Sequence, residues 1–276
     1  MQSIRNDQYF LIIGSMKSAT TSLFEYLAEH PQICPASVKE PEYFSNQQRH
    51  HDTRNRVAAY GDIWQFEPAR HAWAMEASTG YAKYEEPGVV AAIAASGIRP
   101  KFAYILRDPF ARIESHYNYM RRKPEWRGTI TDTELVQTSN YYSFVSAYVR
   151  EFGRDSLLIL DYNQLAHEPL ETVNLVCGFL GIAAMGTLAN TEARNVTPRP
   201  KSEVERLIRR QVPKFLSKAP PGLKAVVRDG FAWFRGPKRQ LRPEERRQIA
   251  AELHDDMIRL GAEFGVDVAR WGFFRT

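Results

Sequence analysis

The sequence predicts an α/β domain of three layers, a parallel sheet between helices with a P-loop-like strand–loop–helix cofactor site. Three observations carry this. Short apolar runs alternate with segments of helical periodicity. The first run empties into a loop of glycine, lysine and hydroxyl residues that leads into a helix. A second run ends on Arg107-Asp108-Pro109, where an arginine meets a helix start. In such folds ligands bind at the carboxyl ends of the strands, so the crevice is expected at the ends of Tyr9–Ile13 and Phe102–Leu106.

Taken in order, Tyr9–Ile13 reads as a buried strand and Thr20–His30 as the following helix, with Leu23, Phe24 and Leu27 on one face and Pro31 beyond its end. His30 then sits at a helix end, where a cation offsets the dipole. Ala72–Glu76 reads as a short strand and Gly88–Ala95 as an alanine-rich helix. Phe102–Leu106 is a strong strand. The helix Pro109–Arg122 is expected to turn Phe110, Ile113, Tyr117 and Met120 inward. Tyr141–Phe152 is a helix, Leu157–Leu160 a strand, and Glu168–Leu180 a helix closed by Gly181. Past Asn190 the texture changes: residues 190–242 read as a basic loop or lid-like region, and 219–236, rich in proline, glycine and aromatics, as a lid, an amphipathic surface segment or an ordinary loop. Pro243–Phe264 closes the chain as an amphipathic helix, with Ile249, Leu253, Met257, Leu260 and Phe264 at helical spacing.

The 276 residues read as one domain over 1–276, large enough to bury a core without staples. Hydrophobic residues make up 43% and charged residues 25%, as in an ordinary globule. Cys34 and Cys177 belong to no ligand pattern and are expected as buried free thiols. His50-His51-Asp52 has no third ligand at convincing spacing, so no metal is assigned. No apolar stretch reaches the ~18 residues a membrane span needs, and no leader is read. The expectation is a cytoplasmic, unanchored chain. The net charge is +5, and residues 199–247 hold fifteen Lys and Arg against five Asp and Glu. Such an excess suits either a solvated surface or an anionic ligand.

The strongest chemical signal is Gly14-Ser-Met-Lys17-Ser18-Ala19-Thr20-Thr21-Ser22 after the first strand. Backbone N–H groups at a loop and helix start converge on an anion, the helix dipole favours negative charge, and Lys17 adds a point charge. The hydroxyls add short-range donors. Lys17 lies only three residues after Gly14, so the loop is shorter than a Walker A motif. The second constellation is Arg107-Asp-Pro109 with Ser115. An arginine at a strand's carboxyl end faces the crevice and can grip a phosphate through two nitrogens.

Together these two segments, in this order, resemble the PAPS-dependent sulfotransferases, in their glycosaminoglycan-type and bacterial branch. Lys39-Glu40-Pro-Glu-Tyr43-Phe44 resembles that family's K-E-x-x-[FY]-F segment, and Glu76-Ala77-Ser78-Thr79 its E-K-[ST] segment. There Ala77 stands where several members carry a lysine. Asn195-x-Thr197-Pro-Arg199-Pro-Lys201 resembles the late loop that covers the cofactor nucleotide. The resemblance runs over most of the chain and is densest in its first half.

The resemblance implies transfer of a sulfuryl group from 3′-phosphoadenylyl sulfate (PAPS), with 3′,5′-adenosine diphosphate as product and no metal required. Lys17 would steady the leaving 5′-phosphate oxygen, and Ser18, Ala19, Thr20, Thr21 and Ser22 would bind the 5′-phosphate. Arg107 and Ser115 would hold the 3′-phosphate, Arg199 and Lys201 would cover the nucleotide, and Glu40 would be the catalytic base. The acceptor would be a hydroxyl or amine on a saccharide, a lipid-linked glycan, a polyketide or another small alcohol. Two other readings stand beside it. A P-loop nucleotide kinase would need a metal-binding acid, for which Asp108 is the candidate. A nucleic-acid-binding module would use the basic third quarter, but no recognised motif supports it, and no nucleic acid is expected as partner.

Overall fold

The computed structural model describes residues 4–45, 60–123, 125–189 and 238–274. Among them five strands form one sheet, β1 (Tyr9–Gly14), β2 (Ile33–Pro35), β3 (Trp73–Ala77), β4 (Lys101–Leu106) and β5 (Leu157–Asp161). Their order is β2-β3-β1-β4-β5, and every pairing is parallel. The helices are α1 (Thr20–Leu27), α2 (Val89–Ala95), α3 (Pro109–Met120), α4 (Thr133–Gln137), α5 (Tyr141–Phe152), α6 (Tyr162–His167), α7 (Pro169–Leu180) and α8 (Pro243–Phe264).

The expected three layers follow from the pleat of β1. Its side chains alternate between faces, and both faces are covered. Tyr9, Leu11 and Ile13 enter a core with Val89 and Ile93 of α2, Tyr148 of α5 and Leu253 of α8. Phe10 and Ile12 enter the opposite core with Leu23 and Leu27 of α1 and Val173 and Val176 of α7. Removing a side chain such as Leu11 from water, at 0% exposure, contributes about 1.5–3 kcal/mol. Asp256 of α8 accepts the Tyr142 and Ser143 N–H groups of α5 at 2.8 and 2.9 Å, fixing these helices to each other.

Several expectations shift. The first helix ends at Leu27, with a turn taking up residues 28–30. His30 is buried rather than poised on the dipole: its Nδ1 accepts the Gln32 N–H at 3.1 Å and its Nε2 meets the Ala183 carbonyl at 2.9 Å. β2 was not legible because it is three residues long and contains Pro35, tolerated there because β2 is an edge strand. α6, six residues started by Asp161 accepting from Asn163 N–H at 2.6 Å, is too short to show a period. On α3, Tyr117 is only half-buried, while Arg112 and His116 are fully enclosed. Arg112 is accepted inside because its guanidinium donates to Ser139 Oγ at 2.7 Å, to the Leu135 carbonyl, and to His116 Nδ1 at 3.3 Å. Burial, then the Arg112 charge, press the His116 pKa well below its ordinary value, so His116 is the neutral acceptor this contact needs. Cys34 and Cys177 are buried free thiols, as expected. No described helix is long and apolar enough to cross a membrane. Residues 190–237, with most of the basic region, and His50, His51 and Asp52 lie outside the described residues.

From β1 the chain crosses to β2 at one edge and returns through β3, then passes to β4 and β5 on the other side. The connections therefore diverge between β1 and β4, which is the switch point where such sheets open a crevice. Residues 15–19 and Arg107 leave the sheet there.

Candidate active site

Gly14 ends β1 against the ring of Tyr104. A Cβ at this position would meet the Tyr104 ring at 2.9 Å, and the backbone takes φ of 151°, a region L side chains rarely adopt. Only glycine lets β1 turn so close to β4. Ser15 continues the β4 ladder, its N–H and Oγ both donating to the Ile105 carbonyl at 3.1 and 2.9 Å. Lys17 and Ala19 are left-handed, with φ of 73° and 62°. Such residues cost about 1–2 kcal/mol each and mark a backbone shaped for a ligand. Successive N–H groups in alternating right- and left-handed backbone form an anion-binding concavity. As at any helix start, the N–H groups of Thr20, Thr21 and Ser22 have no intrahelical acceptor, and the residue preceding α1, Ala19, caps none of them with its side chain.

A cavity of about 650 Å³ opens on this loop. Lys17, Ala19, Thr20, Thr21, Ser22, Arg107, Ser115 and Glu40 all line it. Eight of the candidate residues read from the sequence thus meet around one space. Ser18 does not line it: it is fully buried, its hydroxyl 2.6 Å from Ser15 Oγ, where it stiffens the loop from behind. Arg199 and Lys201 lie outside the described residues. A more open hollow of about 740 Å³ lies at the amino ends of the strands, beside Arg5, Trp73, Lys101 and Ser156. Among the described residues, no candidate residue read from the sequence lines it; those that line a cavity line the smaller one.

Arg107 ties the two halves of the site together. Its Nη1 donates to the Lys17 carbonyl at 2.6 Å, its guanidinium stacks 4.3 Å from the Tyr162 ring centre, and its own carbonyl accepts from Tyr141 at 2.8 Å. Lys17 Nζ lies 4.7 Å from the Tyr119 ring centre. Burial first, then Arg107, Arg122 and Lys39, bring the Lys17 pKa down to about 8, with Glu40 pulling the other way. An anion placed beside Lys17 would favour its charged form again. The described lining has six cations (Lys17, Lys39, Arg107, Arg122, Lys238, Arg239) against two carboxylates, Glu40 and Glu114.

Four of these charged neighbours were missed in the sequence: Glu114, Arg122, Lys238 and Arg239. Ser115 could have pointed to the first two, because Ala111, Glu114, Ser115, Asn118, Tyr119 and Arg122 recur at helical spacing on one side of α3 and beyond it. Lys238 and Arg239 had no local signal beyond net charge. They reach the site because Asn118 Nδ2 donates to the Arg239 carbonyl at 2.8 Å while its Oδ1 accepts the Arg239 N–H at 3.0 Å. Asp108, the acid on which the kinase reading depended, is occupied as the cap of α3, accepting the Phe110 N–H at 2.9 Å.

Glu76 does not face the cavity. It is fully buried under the loop, accepting hydrogen bonds from Tyr60, from Ser78 at 2.5 Å and from Tyr81 at 2.8 Å. Burial raises its pKa to about 7, outweighing three hydroxyl donors that favour the anion. The folded chain therefore holds a proton between pH 4.5 and 7 that the unfolded chain has released. This contribution to stability is full below pH 4.5 and is lost as pH rises through 7. Glu76→Gln, which copies the protonated form, should flatten the fall in stability over that window. Urea midpoints at a series of pH values would show it, on the order of 3 kcal/mol at most. Parallel profiles for the two proteins would mean that Glu76 does not titrate there.

A family model, Sulfotransferase domain, matches residues 7–203. No curated protein matches the chain in sequence. Among solved structures, a sulfotransferase from Alicyclobacillus acidocaldarius superposes with a TM-score of 0.67 at 19% identity, over 98% of this chain and 100% of that one. The sulfotransferase domain from the curacin biosynthetic pathway does so with a TM-score of 0.50 at 16% identity, over 91% of this chain and 98% of that one. At these identities the likeness is one of fold.

Proposed function

This chain belongs to the sulfotransferase family, and from that premise we propose that it takes its sulfuryl group from PAPS, with Lys17, Glu40, Arg107 and Ser115 serving the transfer. The observation that carries the reading is the pairing of two anion-binding ends in one cationic cavity. The loop of Lys17 with the start of α1 makes one end, and Arg107 with Ser115 makes the other. PAPS supplies sulfur bonded to a 5′-phosphate that can depart as an anion, and it carries a second phosphate at the 3′ position to fill the other end. The cavity's charge and its free N–H groups fit such a polyanion.

The roles follow from charge. As the acceptor oxygen or nitrogen bonds to sulfur, the bond from sulfur to the 5′-phosphate oxygen breaks and negative charge gathers on that oxygen. Lys17 and the N–H groups at the start of α1 stabilise it without reorganising. Ala19, Thr20, Thr21 and Ser22 hold the 5′-phosphate, with Ser18 bracing the loop behind them. Arg107 and Ser115 hold the 3′-phosphate, remote from the reacting atoms. Glu40, at the cavity wall, takes the proton that the acceptor gives up. Arg199 and Lys201 are assigned to the covering loop on the family resemblance alone. The acceptor is assigned as a small molecule or glycan with a hydroxyl or amine on the family resemblance alone.

The test is ligand-dependent melting. A ligand at ~100 times its dissociation constant adds about 2.7 kcal/mol of stability. Without Mg²⁺, 3′,5′-adenosine diphosphate should raise Tm clearly more than 5′-AMP, which fills only one end. Equal shifts, or a shift with Mg-ATP alone, would overturn the assignment of the donor.

A further inference from the structure

Glu40 needs something to hold it at the cavity wall. Its ion pair with Lys39, at 3.6 Å between side chains 45% and 40% exposed, is the kind worth only ~0.2–1 kcal/mol. The backbone is less casual. Glu40 and Glu42 are both left-handed, with φ of 53° and 50°. Two such residues within three positions, separated by Pro41, persist only where the surroundings over-determine them. The surroundings here act on Glu42. Its N–H donates to Ser78 Oγ at 3.0 Å. One carboxylate oxygen accepts the Gly80 N–H at 2.9 Å, and the other accepts from Ser45. Ser78 in turn donates to the buried Glu76 at 2.5 Å, so the loop is moored to the end of β3.

We propose that Glu42 is the positioning residue for Glu40, and that Ser78 and the Gly80 N–H are the seat on which it fixes the loop. The inference rests on the reading of Glu40 as the base and adds what that reading lacks, the means by which a half-buried glutamate keeps its place. Glu42 itself is absent from the described lining of the cavity. It acts through the backbone two residues away, with Pro41 limiting the slack between them. Gly80 is part of the device. A Cβ there would meet Glu42 Oε2 at 1.9 Å and Glu42 Cδ at 2.8 Å. A methyl group at position 80 therefore evicts the carboxylate without replacing any group on Glu42.

The experiment compares Glu42→Ala, Glu42→Gln, Gly80→Ala, Glu40→Gln and the double variant Glu40→Gln with Glu42→Ala. Turnover is followed as 3′,5′-adenosine diphosphate released from PAPS, with water and simple alcohols as acceptors and activity expressed per folded molecule. Nucleotide affinity is measured alongside by melting shift. Glu42→Ala and Gly80→Ala should each lower kcat roughly 10- to 100-fold, the scale of a 1 Å misplacement, with affinity for 3′,5′-adenosine diphosphate unchanged. Glu42→Gln keeps an acceptor for the Gly80 N–H and should recover kcat to within about fivefold of the parent. The double variant should be no slower than Glu40→Gln alone, because a residue that acts only through another has nothing left to lose. Should Glu42→Ala fold poorly, Gly80→Ala and its combination with Glu40→Gln give the same comparison. A slow Glu40→Gln beside normal Glu42→Ala and Gly80→Ala enzymes overturns the positioning role and leaves the base standing. Additive losses overturn it too, by showing that Glu42 acts on its own. A normal Glu40→Gln removes the base and the positioning role with it.

Discussion

Lys17→Ala should lower kcat by roughly 10²- to 10³-fold, the loss seen when one preorganised donor is taken from a developing oxyanion. Affinity for 3′,5′-adenosine diphosphate should fall much less, because the N–H groups at the start of α1 and the Arg107 end remain. The expected split arises because charge on the leaving oxygen exists fully only in the transition state. The same residue sets a pH limit. With its pKa brought down to about 8 in the free site, Lys17 loses its proton as pH rises through that value. kcat/KM for the donor, which reports the free enzyme, should therefore decline above pH ~8. Lys17→Arg keeps the charge at all these pH values and should remove the decline, at some loss of kcat through changed geometry. A Lys17→Ala enzyme with altered KM but intact kcat would show that Lys17 binds uniformly and takes no part in bond cleavage. Arg107→Ala is not the clean opposite. Arg107 also donates to the Lys17 carbonyl at 2.6 Å. Its loss should weaken nucleotide binding about 10- to 100-fold and also release the loop, lowering kcat several-fold.

Glu40→Gln should lower kcat by ~10²–10⁴, the usual contribution of a positioned base, while leaving nucleotide affinity near that of the parent. The glutamine keeps the size and hydrogen bonding of the side chain and loses its basicity. Glu42 was the nearest rival for this role in the sequence. The structure gives it other partners, the Gly80 N–H and Ser45, whereas Glu40 lines the cavity with Lys17. Glu76 is sealed among Tyr60, Ser78 and Tyr81, and Glu114, which shares the cavity lining, accepts the Leu241 N–H at 2.9 Å. A Glu40→Gln enzyme that turns over within a few-fold of the parent, in an assay limited by chemistry, would end the case for Glu40.

What the sequence determined by itself was local. β1, β4 and β5 were legible because each is a short apolar run bounded by turn chemistry, and α8 because its buried residues Ile249, Leu253, Met257 and Leu260 recur at helical spacing within a helix of 22 residues. The Lys17 loop was legible for the same reason: strand, glycine, cation, hydroxyls and helix follow one another without a break, so its chemistry does not wait on distant partners. The strand order was decided only in the folded chain. It brings Arg107 to the Lys17 carbonyl across 90 residues of sequence, and no periodicity encodes which strand lies beside which. The same holds for Arg112, whose burial is tolerable only because folding brings it Ser139 and the Leu135 carbonyl. It holds for Lys238 and Arg239, carried to the site by the amide of Asn118, 121 positions before Arg239. It holds most of all for Glu42, beside Glu40 in sequence and unlike it in surroundings. A carboxylate's role depends on what it meets, and Glu42 meets a backbone N–H 38 residues away, a partner that exists only once β3 and the loop after it have packed.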